Sequence, residues 1–361
     1  LEIQETVHNP TTQPWGGQFF VALNQTAPAE EKLGFGQLRT YQGLAYYTPN
    51  TPYKKLPFDA LNEKTVSKSL MGGWIASQKH YFITAWIPPK HRSHTVMASK
   101  VANTFNRYSI SLTGLTHHLQ PKQSVHLLNQ LYVGPELPNV LGTLSKGLEL
   151  TVDYGWLWFI SDALYWLLSH IQSIVGNWGI AIILLTLFIK LVFYKLSDTS
   201  FKSMARMKTL QPKIEALKKQ HGDNKETLGP AMMALYKKEK INPLGGCLPM
   251  LIQIPFFIAL YWVLMESVEL RHAPFFGWIQ DLSTKDPYYI LPVVMGVSML
   301  IQQRLGPQNP DPIQARMMLA LPLIFTFMFL SFPAGLVLYW LVNNLLSIAQ
   351  QWYCTRKYST P

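Results

Sequence analysis

The chain has 361 residues, of which 48% are hydrophobic and only 14% are charged. Soluble domains carry about 25% charged residues, so this composition argues against a wholly soluble protein and favours one that is partly embedded in a membrane. The formal net charge of +11 points to anionic lipid or nucleic acid as a partner. The two cysteines, Cys247 and Cys354, are too few for a zinc site and too far apart in the chain to predict a structural disulfide.

Residues 1–145 predict an all-β, sandwich-like domain. They contain no long apolar run, and turn residues separate short segments that are rich in β-formers. These segments are 18–23, 36–47, 73–86, 95–101, 107–113 and 123–133.

Side chains that could line a site in this domain form no recognisable constellation. They are His80, His91, His94, His117, His118, Trp15, Trp74 and Trp86. The adjacent His117 and His118 would point to opposite faces of a strand, which is poor geometry for a metal ion. Packing in the sheet core is the favoured interpretation of the tryptophans, and a carbohydrate-binding surface is the alternative.

Residues 146–175 predict a linker and an amphipathic helix that lies in the membrane interface. Apolar side chains recur with a period near 3.6 through 155–171, and tryptophans accompany them. The apolar positions are Leu157, Ile160, Leu164, Leu167, Leu168 and Ile171, and the tryptophans are Trp156, Trp158 and Trp166. A transmembrane helix is the alternative, but it would place Asp162 deep in lipid.

Five apolar runs in residues 176–361 predict five transmembrane helices. They are 176–195, 247–265, 288–305, 317–332 and 335–353. Segment 195–240 contains 11 Lys or Arg against 5 Asp or Glu, whereas segment 266–287 contains 2 against 4. Because Lys and Arg mark cytoplasmic loops, we predict that 195–240 and the C-terminus face the cytoplasm and that 1–150 lie outside. The positive charge is then a topological signal, which leaves anionic lipid as a partner and removes direct nucleic-acid recognition.

Within 197–241, apolar residues at helical spacing predict a cytoplasmic helical hairpin. One helix is expected over 200–220, a turn at 221–224 and a second helix over 228–240. The hairpin has two interpretations that the sequence leaves open: a landing platform for a partner, or a solvated linker.

One cation, Lys190, lies inside the first apolar run. An isolated Lys in a membrane helix costs ~2.5–3.5 kcal/mol and is a functional-site hypothesis by default. Polar side chains share its face or mark the second and fifth runs, and they predict a hydrophilic groove open to the cytoplasm. The predicted groove residues are Lys190, Thr186, Gln253, Tyr339, Trp340, Asn343, Asn344 and Ser347. The alternative is that the Lys190 stem simply extends to the lipid headgroups.

No Asp or Glu lies within the five runs, so the cation is expected to attract an acidic guest rather than to join a proton relay. A secondary transporter would also need a coupling carboxylate at mid-membrane. An intramembrane hydrolase is a further alternative. The sequence around Ser298 is not that of a nucleophile elbow, so this alternative would need a Ser298–Lys190 dyad. We therefore predict a protein that is not an enzyme and has no catalytic residue, metal or cofactor.

The second and fourth runs each carry a set of wholly apolar positions with aromatic and flexible side chains. The set is Ile254, Phe256, Phe257, Ile324, Phe327 and Met328. These residues form either ordinary lipid-facing surface or, beside the groove, an apolar path for another helix.

Several long motifs resemble the YidC/Oxa/Alb family of membrane protein insertases. In the helical part they are GNWG at 176–179, SMARMKTLQPKI at 203–214, MMALYKKEKINP at 232–243, NPLGGCLP at 242–249, DPYYILPVVMG at 286–296 and FPAGLVLYW at 332–340. GGWIASQKHYFITAWIP at 72–88 and LYVGPEL at 131–137 are similar to the periplasmic domain of the Gram-negative branch.

The resemblance implies an insertase and chaperone of the bacterial inner membrane. Such a protein takes nascent transmembrane segments from the cytoplasm through a positively charged groove and releases them into lipid. Lys190 takes the position of the family's conserved cation, and the family's substrate slide maps to Leu248, Pro249, Ile254, Phe256 and Phe257, and to the region of Met328.

Partners implied by the resemblance are nascent membrane proteins, the ribosome and the Sec translocon. A groove within one chain is expected to function as a monomer. Because the chain begins at Leu1 and its first domain is predicted to lie outside the cytoplasm, we also expect an N-terminal signal-anchor helix to precede it.

Overall fold

The computed structural model describes residues 1–28, 40–221, 225–239, 248–306 and 312–358. Its internal contacts divide the chain into two compact units. The β unit contains most of the chain up to Asp153 and the short segment Glu266–Val268, and the helical unit contains most of the remainder. The predicted order, a β-rich domain followed by a helical region, is confirmed.

In its described part, the β unit has ten strands that pair antiparallel. They are β1 (Glu2–His8), β2 (Trp15–Thr26), β3 (Gly43–Tyr46), β4 (Lys54–Leu56), β5 (Val66–Met71), β6 (Ile75–Lys79), β7 (Phe82–Ile87), β8 (Ser93–Lys100), β9 (Arg107–Leu119) and β10 (Ser124–Pro135). One sheet has the order β1-β10-β7-β6-β3-β4 and the other β2-β9-β8-β5. Two short helices, α1 (Phe58–Glu63) and α2 (Pro138–Leu144), accompany them.

The two sheets bury a shared core. Leu44 and Ile75 of the first sheet and Val96 and Ile110 of the second have no exposed surface and belong to one hydrophobic cluster. Because successive side chains of a strand point to opposite faces, every second residue of these strands reaches this core. Two sheets on a common core make the sandwich arrangement that the alternating segments predict.

Two of the tryptophans considered for a sugar site lie in the packed interior. Trp74 is 1% exposed and Trp86 is 6% exposed. The ring of Phe19 stacks on Trp86 with 5.8 Å between centroids. Packing is therefore the correct interpretation of these two indoles, whereas Trp15 is 45% exposed.

The strands that the sequence does not predict are β1, β4 and β5, and each lies at an edge of its sheet. Edge strands are more exposed to solvent and carry more polar side chains, so they lack the run of apolar residues by which a strand is predicted. The segment 73–86 forms the hairpin β6–β7 rather than one strand, and 107–113 extends to Leu119 as β9. The first part of the predicted segment 36–47 lies outside the described residues.

The helical unit begins with α3 (Trp158–Val175) and contains a series of helices over its described residues. They continue as α4 (Trp178–Val192), α5 (Tyr194–Thr209), α6 (Gln211–His221), α7 (Lys225–Lys238), α8 (Leu248–Glu266), α9 (Ile290–Leu305), α10 (Pro312–Phe329) and α11 (Ala334–Tyr358). On α3, Leu164 and Leu168 are buried, whereas Trp158 and Trp166 are each 59% exposed.

Among the described helices, none is by itself both long and apolar enough to cross a bilayer, whereas the bent pair α4–α5, with 68° between its two helices, meets the length and composition criteria together.

Two predicted helices are interrupted in the structure. The run 176–195 ends as a helix at Val192, so α4 is shorter than the predicted span. The predicted helix 200–220 is broken between α5 and α6 at Leu210. Pro212 explains the second break, because proline cannot donate to the carbonyl four residues earlier but is tolerated in the first turn of a new helix.

The β unit also contains a buried polar network around Glu136, which is 6% exposed. Gln78 Nε2 donates to Glu136 Oε1 at 2.9 Å and to Thr151 O at 3.1 Å, and Gln78 Oε1 accepts from Tyr53 OH at 2.8 Å. Burial raises the pKa of Glu136 to about 7, and the hydrogen bond from Gln78 opposes this shift. The folded β unit therefore favours the protonated form of a carboxyl that ionises readily in the unfolded chain.

We expect Glu136→Gln to reduce the pH dependence of β-unit stability. A carboxyl with a raised pKa binds its proton more tightly in the folded state, so its contribution is complete below the ordinary Glu value and is lost as the pH rises through about 7. The whole shift corresponds to about 3 kcal/mol at most. Thermal unfolding of the full chain in detergent, measured at mildly acidic and mildly alkaline pH, should show a smaller difference for the variant than for the parent.

The exposed Glu63 of α1 provides the matched control, because Glu63→Gln removes the same charge where solvent screens it. A Glu136→Gln variant that kept the parent's full pH dependence would contradict the assignment of a buried, proton-binding carboxyl.

Candidate functional site

The cation predicted to lie in a groove is held by a neutral partner. Lys190 lies in the last turn of α4 and is half-buried. Its Nζ donates to Ser347 Oγ of α11 at 2.7 Å, and Ser347 Oγ donates in turn to Asn343 O at 2.7 Å. None of the ion pairs among the described residues includes Lys190. The ammonium is therefore partly desolvated but keeps its charge available.

A second contact extends this arrangement to α8. Gln253 Nε2 donates to Asn343 Oδ1 at 2.6 Å. Side chains of α4, α8 and α11 are thus connected in one series, which we call the polar network: Lys190, Ser347, Asn343 and Gln253. Half of the residues predicted for the groove belong to it.

Two other predicted groove residues, Thr186 and Asn344, lie in the packed interior away from this network. Thr186 is 1% exposed and donates to Ile182 O of its own helix at 2.7 Å. Asn344 is 5% exposed. Tyr339 is 1% exposed beneath the ring of Phe257, and its side chain forms a hydrogen bond with Gln253, so it borders the polar network. Adjacent positions on a helix point about 100° apart, so Asn344 faces a different neighbour from Asn343.

That neighbour is Ser298 of α9. Asn344 Nδ2 donates to Ser298 Oγ at 3.2 Å, and Ser298 Oγ donates to Met295 O at 2.6 Å. Ser298 therefore contacts Asn344 while Lys190 contacts Ser347, so the two halves of the hypothetical Ser298–Lys190 dyad are engaged elsewhere.

Trp340 also lies apart from the polar network, in an aromatic cluster. Its ring meets Phe257 of α8 edge-on at 4.7 Å and lies 5.3 Å from Phe329 and 6.0 Å from Phe325 of α10. Its Nε1 is buried and has no hydrogen-bond partner within the described residues. The sequence places Trp340 beside polar neighbours, but its ring packs with the apolar helices.

The residues predicted for an apolar path differ in exposure. Ile254 of α8 is 41% exposed, and Ile324 and Phe327 of α10 are 53% and 76% exposed. Phe256 packs edge-on against Phe193 at 5.0 Å, and Met328 is half-buried. The side chains of Leu248 and Pro249 lie outside the described set.

The loop after α8 is fixed to the first turn of α4. Asn177 Oδ1 accepts from Ile180 N at 3.0 Å, which is the capping contact that an Asn before an apolar run predicts. Its Nδ2 donates to Pro274 O at 3.2 Å and Phe275 O at 3.4 Å. The Phe275 ring then lies so close to Gly179 that an added Cβ would approach it to 2.1 Å.

The same loop also fixes the starts of α9 and α11. Asp286 is 1% exposed, and its carboxylate accepts from Leu291 N at 2.7 Å and from Trp278 Nε1 at 3.0 Å. Gly335 N donates to Leu282 O at 2.9 Å. The N-terminal ends of three helices are thereby joined by one loop, at the opposite end of α4 from Lys190. Sequence reasoning used this loop only for its charge.

The described residues contain no group of three or more His, Cys, Asp or Glu placed to hold a metal ion.

Comparisons with known proteins identify the family. The 60Kd inner membrane protein family matches residues 170–360, and the YidC periplasmic domain matches residues 1–167. The chain belongs to the 60Kd inner membrane protein family. The resemblance found in the sequence motifs is thereby confirmed.

Relatives in this family carry the name "Membrane protein insertase YidC". The one from Pseudomonas aeruginosa is 53% identical over 352 residues, which are 97% of this chain and 61% of that protein. The one from Azotobacter vinelandii is 51% identical over 358 residues, 99% of this chain and 64% of that protein. The chain thus spans about three fifths of the length of these relatives.

A solved structure described as "Active YidC insertase crystal structure with the first transmembrane domain resolved" is also similar. It is 21% identical, with a TM-score of 0.48, and the match covers 86% of this chain and 83% of that chain.

In this member of the 60Kd inner membrane protein family, we expect Asn177→Ala to destabilise the helical unit by about 1–2 kcal/mol, because the change removes a helix cap and two loop contacts. Asn177→Asp keeps the capping oxygen but cannot donate to the carbonyls of Pro274 and Phe275. We therefore expect it to lose less stability than Asn177→Ala does. In detergent, the thermal unfolding temperature should be highest for the parent, intermediate for Asn177→Asp and lowest for Asn177→Ala. Equal losses in the two variants would show that the cap contributes nothing.

Proposed function

We propose that this chain is a membrane protein insertase, as its relatives are named, and not an enzyme. The observation that carries the proposal is Lys190, a half-buried cation that contacts a hydroxyl rather than a carboxylate. Such a cation attracts a carboxylate from outside the protein, and a transmembrane segment with an acidic tail would supply one. Family membership supports the same conclusion.

The topology that suits this function has five membrane spans. Residues 1–150 lie in the periplasm, the C-terminus lies in the cytoplasm, and 197–241 form a cytoplasmic hairpin. The basic charge of 195–240 supports this orientation. The helices α6 and α7 pack through Leu210, Ile214 and Tyr236, which supports the hairpin.

The groove acts through charge. Lys190 has three N–H donors, and the contact to Ser347 uses one of them. The remaining donors receive the carboxylate of a hydrophilic tail that enters from the cytoplasm, while Gln253 and Asn343 offer polar contacts beside it. The membrane potential then moves an acidic residue outward with ~2.3 kcal/mol per charge per 100 mV.

The apolar segment of the substrate leaves along α8 and α10. Ile254, Ile324 and Phe327 are exposed there and give a helix an apolar surface to follow. Burial of the segment's own apolar surface in lipid drives release. The loop that joins α4, α9 and α11 keeps the outer end closed, as the contacts of Asn177 and Asp286 support.

The partners of this activity are nascent membrane proteins, with the ribosome and the Sec translocon as suppliers and anionic lipid around the basic segment. The chain inserts substrates alone or with the translocon. A monomer is sufficient, because the polar network is built from helices of one chain.

Lys190→Ala should lower insertion of substrates with acidic tails by roughly ten-fold, the factor that ~1.4 kcal/mol of lost attraction produces. Lys190→Arg should retain insertion, because it keeps the cation. The measurement is protease-protected insertion into liposomes that contain the purified chain. Lys195→Ala, at an exposed lysine outside the polar network, is the matched control. Undiminished insertion of acidic-tailed substrates by Lys190→Ala would remove Lys190 from the mechanism.

Photocrosslinking tests the exit path. Probes placed at Ile254 and Met328 should react with the nascent helix of a small single-span protein during its synthesis, because both positions border the proposed path. A probe at Ile174, which is 84% exposed on α3, is the control and should not react with the nascent helix. Successful insertion with no crosslink at either path position would place the exit elsewhere.

A further inference from the structure

A cleft of about 410 Å³ lies between α6 and α7, on the surface of the helical unit. From α6 it is lined by Lys213, Ala216, Leu217 and Gln220. From α7 it is lined by Ala231, Ala234, Leu235 and Lys238. In each helix the four positions have the spacing i, i+3, i+4, i+7, which is the stripe that one helix presents to another. The cleft thus consists of two helical stripes with no third helix between them in the described structure.

The pairing of α6 and α7 uses mainly side chains outside the cleft. Leu210, Ile214 and Tyr236 are buried between the two helices, and Met232 and the cleft residue Leu235 pack against them. Ala216 and Ala234 remain exposed. The stripes therefore continue from the hairpin's own core, which they share through Leu235, to an exposed floor whose small alanine side chains let another backbone approach closely.

The charged side chains distinguish the two ends of the cleft. Lys213 Nζ pairs with Glu239 Oε1 at 2.6 Å, which sets the start of α6 beside the end of α7. Lys213 and Lys238 consequently lie at one end of the cleft, and Gln220 and Ala231 lie at the other. Glu239 interacts with both lysines, but its direct hydrogen bond is to Lys213, so Lys238 is the cation with the more available charge for an occupant.

We propose that this cleft binds an amphipathic helix of a partner protein, with an Ala/Leu stripe on the floor and carboxylates at the end that meets Lys238. Each stripe spans eight residues, which corresponds to a length of about 10 Å or two turns of the occupant. A concave floor with two walls fits a cylinder better than it fits a flat lipid surface. The proposal does not depend on insertase activity, because binding is its readout.

The test uses the full chain in detergent and a fluorescein-labelled peptide of about five helical turns. The peptide has an Ala/Leu stripe and three Glu in its last turn. A scrambled peptide of identical composition keeps the charge but loses the stripe. Fluorescence anisotropy should show at least ten-fold tighter binding of the patterned peptide, a difference of ~1.4 kcal/mol.

Two pairs of neighbouring substitutions separate the cleft from the rest of the hairpin. Ala234→Trp fills the floor and should weaken binding at least ten-fold, whereas Met233→Trp, at an exposed position outside the cleft, should leave it unchanged. Lys238→Glu should weaken binding and reduce its salt dependence more than Lys237→Glu does, because Lys237 does not line the cleft. Both Trp variants change exposed positions, so thermal unfolding should match the parent.

Other occupants give distinct results. Equal binding of the patterned and scrambled peptides, or unchanged binding to Ala234→Trp, would overturn the proposal and leave only nonspecific attraction by charge. Self-association of the chain without peptide that Ala234→Trp abolishes would assign the cleft to a second copy. Displacement of the peptide by phosphatidylglycerol vesicles but not by phosphatidylcholine vesicles, at equal lipid concentration, would assign it to anionic lipid.

Discussion

An ammonium group set among apolar helices is the constraint on which the helical unit depends. Leaving water is costly for the charge unless polar atoms replace its hydration. In this chain, the replacement comes from Ser347, whose hydroxyl is oriented by Asn343 O. A hydroxyl supports the cation without cancelling it, as a carboxylate would. The charge remains able to attract another anion.

The constraint extends from Lys190 to the rotation of α11. Asn343 and Ser347 face α8 and α4, while the adjacent Asn344 reaches Ser298 of α9. A turn of α11 about its own axis would break contacts with all three helices at once. At the other end of the unit, the loop contacts fix where α11 starts, through Gly335 N and Leu282 O. Different hydrogen bonds therefore fix the rotation of α11 about its axis and its position along that axis.

The sequence predicts those structural features whose causes lie in neighbouring residues, and it does not predict those that depend on contacts between distant elements. Tyr339, Asn343 and Ser347 of α11 recur every four residues, so helix geometry predicts that they share one face. All three contact Gln253 or Lys190 on that face. The sequence does not predict the edge strands β1, β4 and β5, because their exposed positions carry polar side chains that obscure the apolar pattern. The break at Leu210 has a local cause in Pro212, although the apolar spacing on both sides of it continues as in one helix. The position of Trp340 depends on rings contributed by α8 and α10, which spacing within α11 does not reveal.

The choice of lysine at position 190 suits the arrangement around it. A guanidinium offers donors in a fixed plane that matches one carboxylate orientation, whereas an ammonium offers three donors that rotate freely about the stem. With one donor on Ser347, the ammonium attracts a carboxylate by charge and imposes little geometry. In the proposed mechanism this is an advantage, because successive substrates bring different tails and each contact has to be released. The neutral partner of Lys190 therefore suits both requirements of the proposed mechanism, a cation that is stabilised within the protein and a transient hold on a substrate carboxylate.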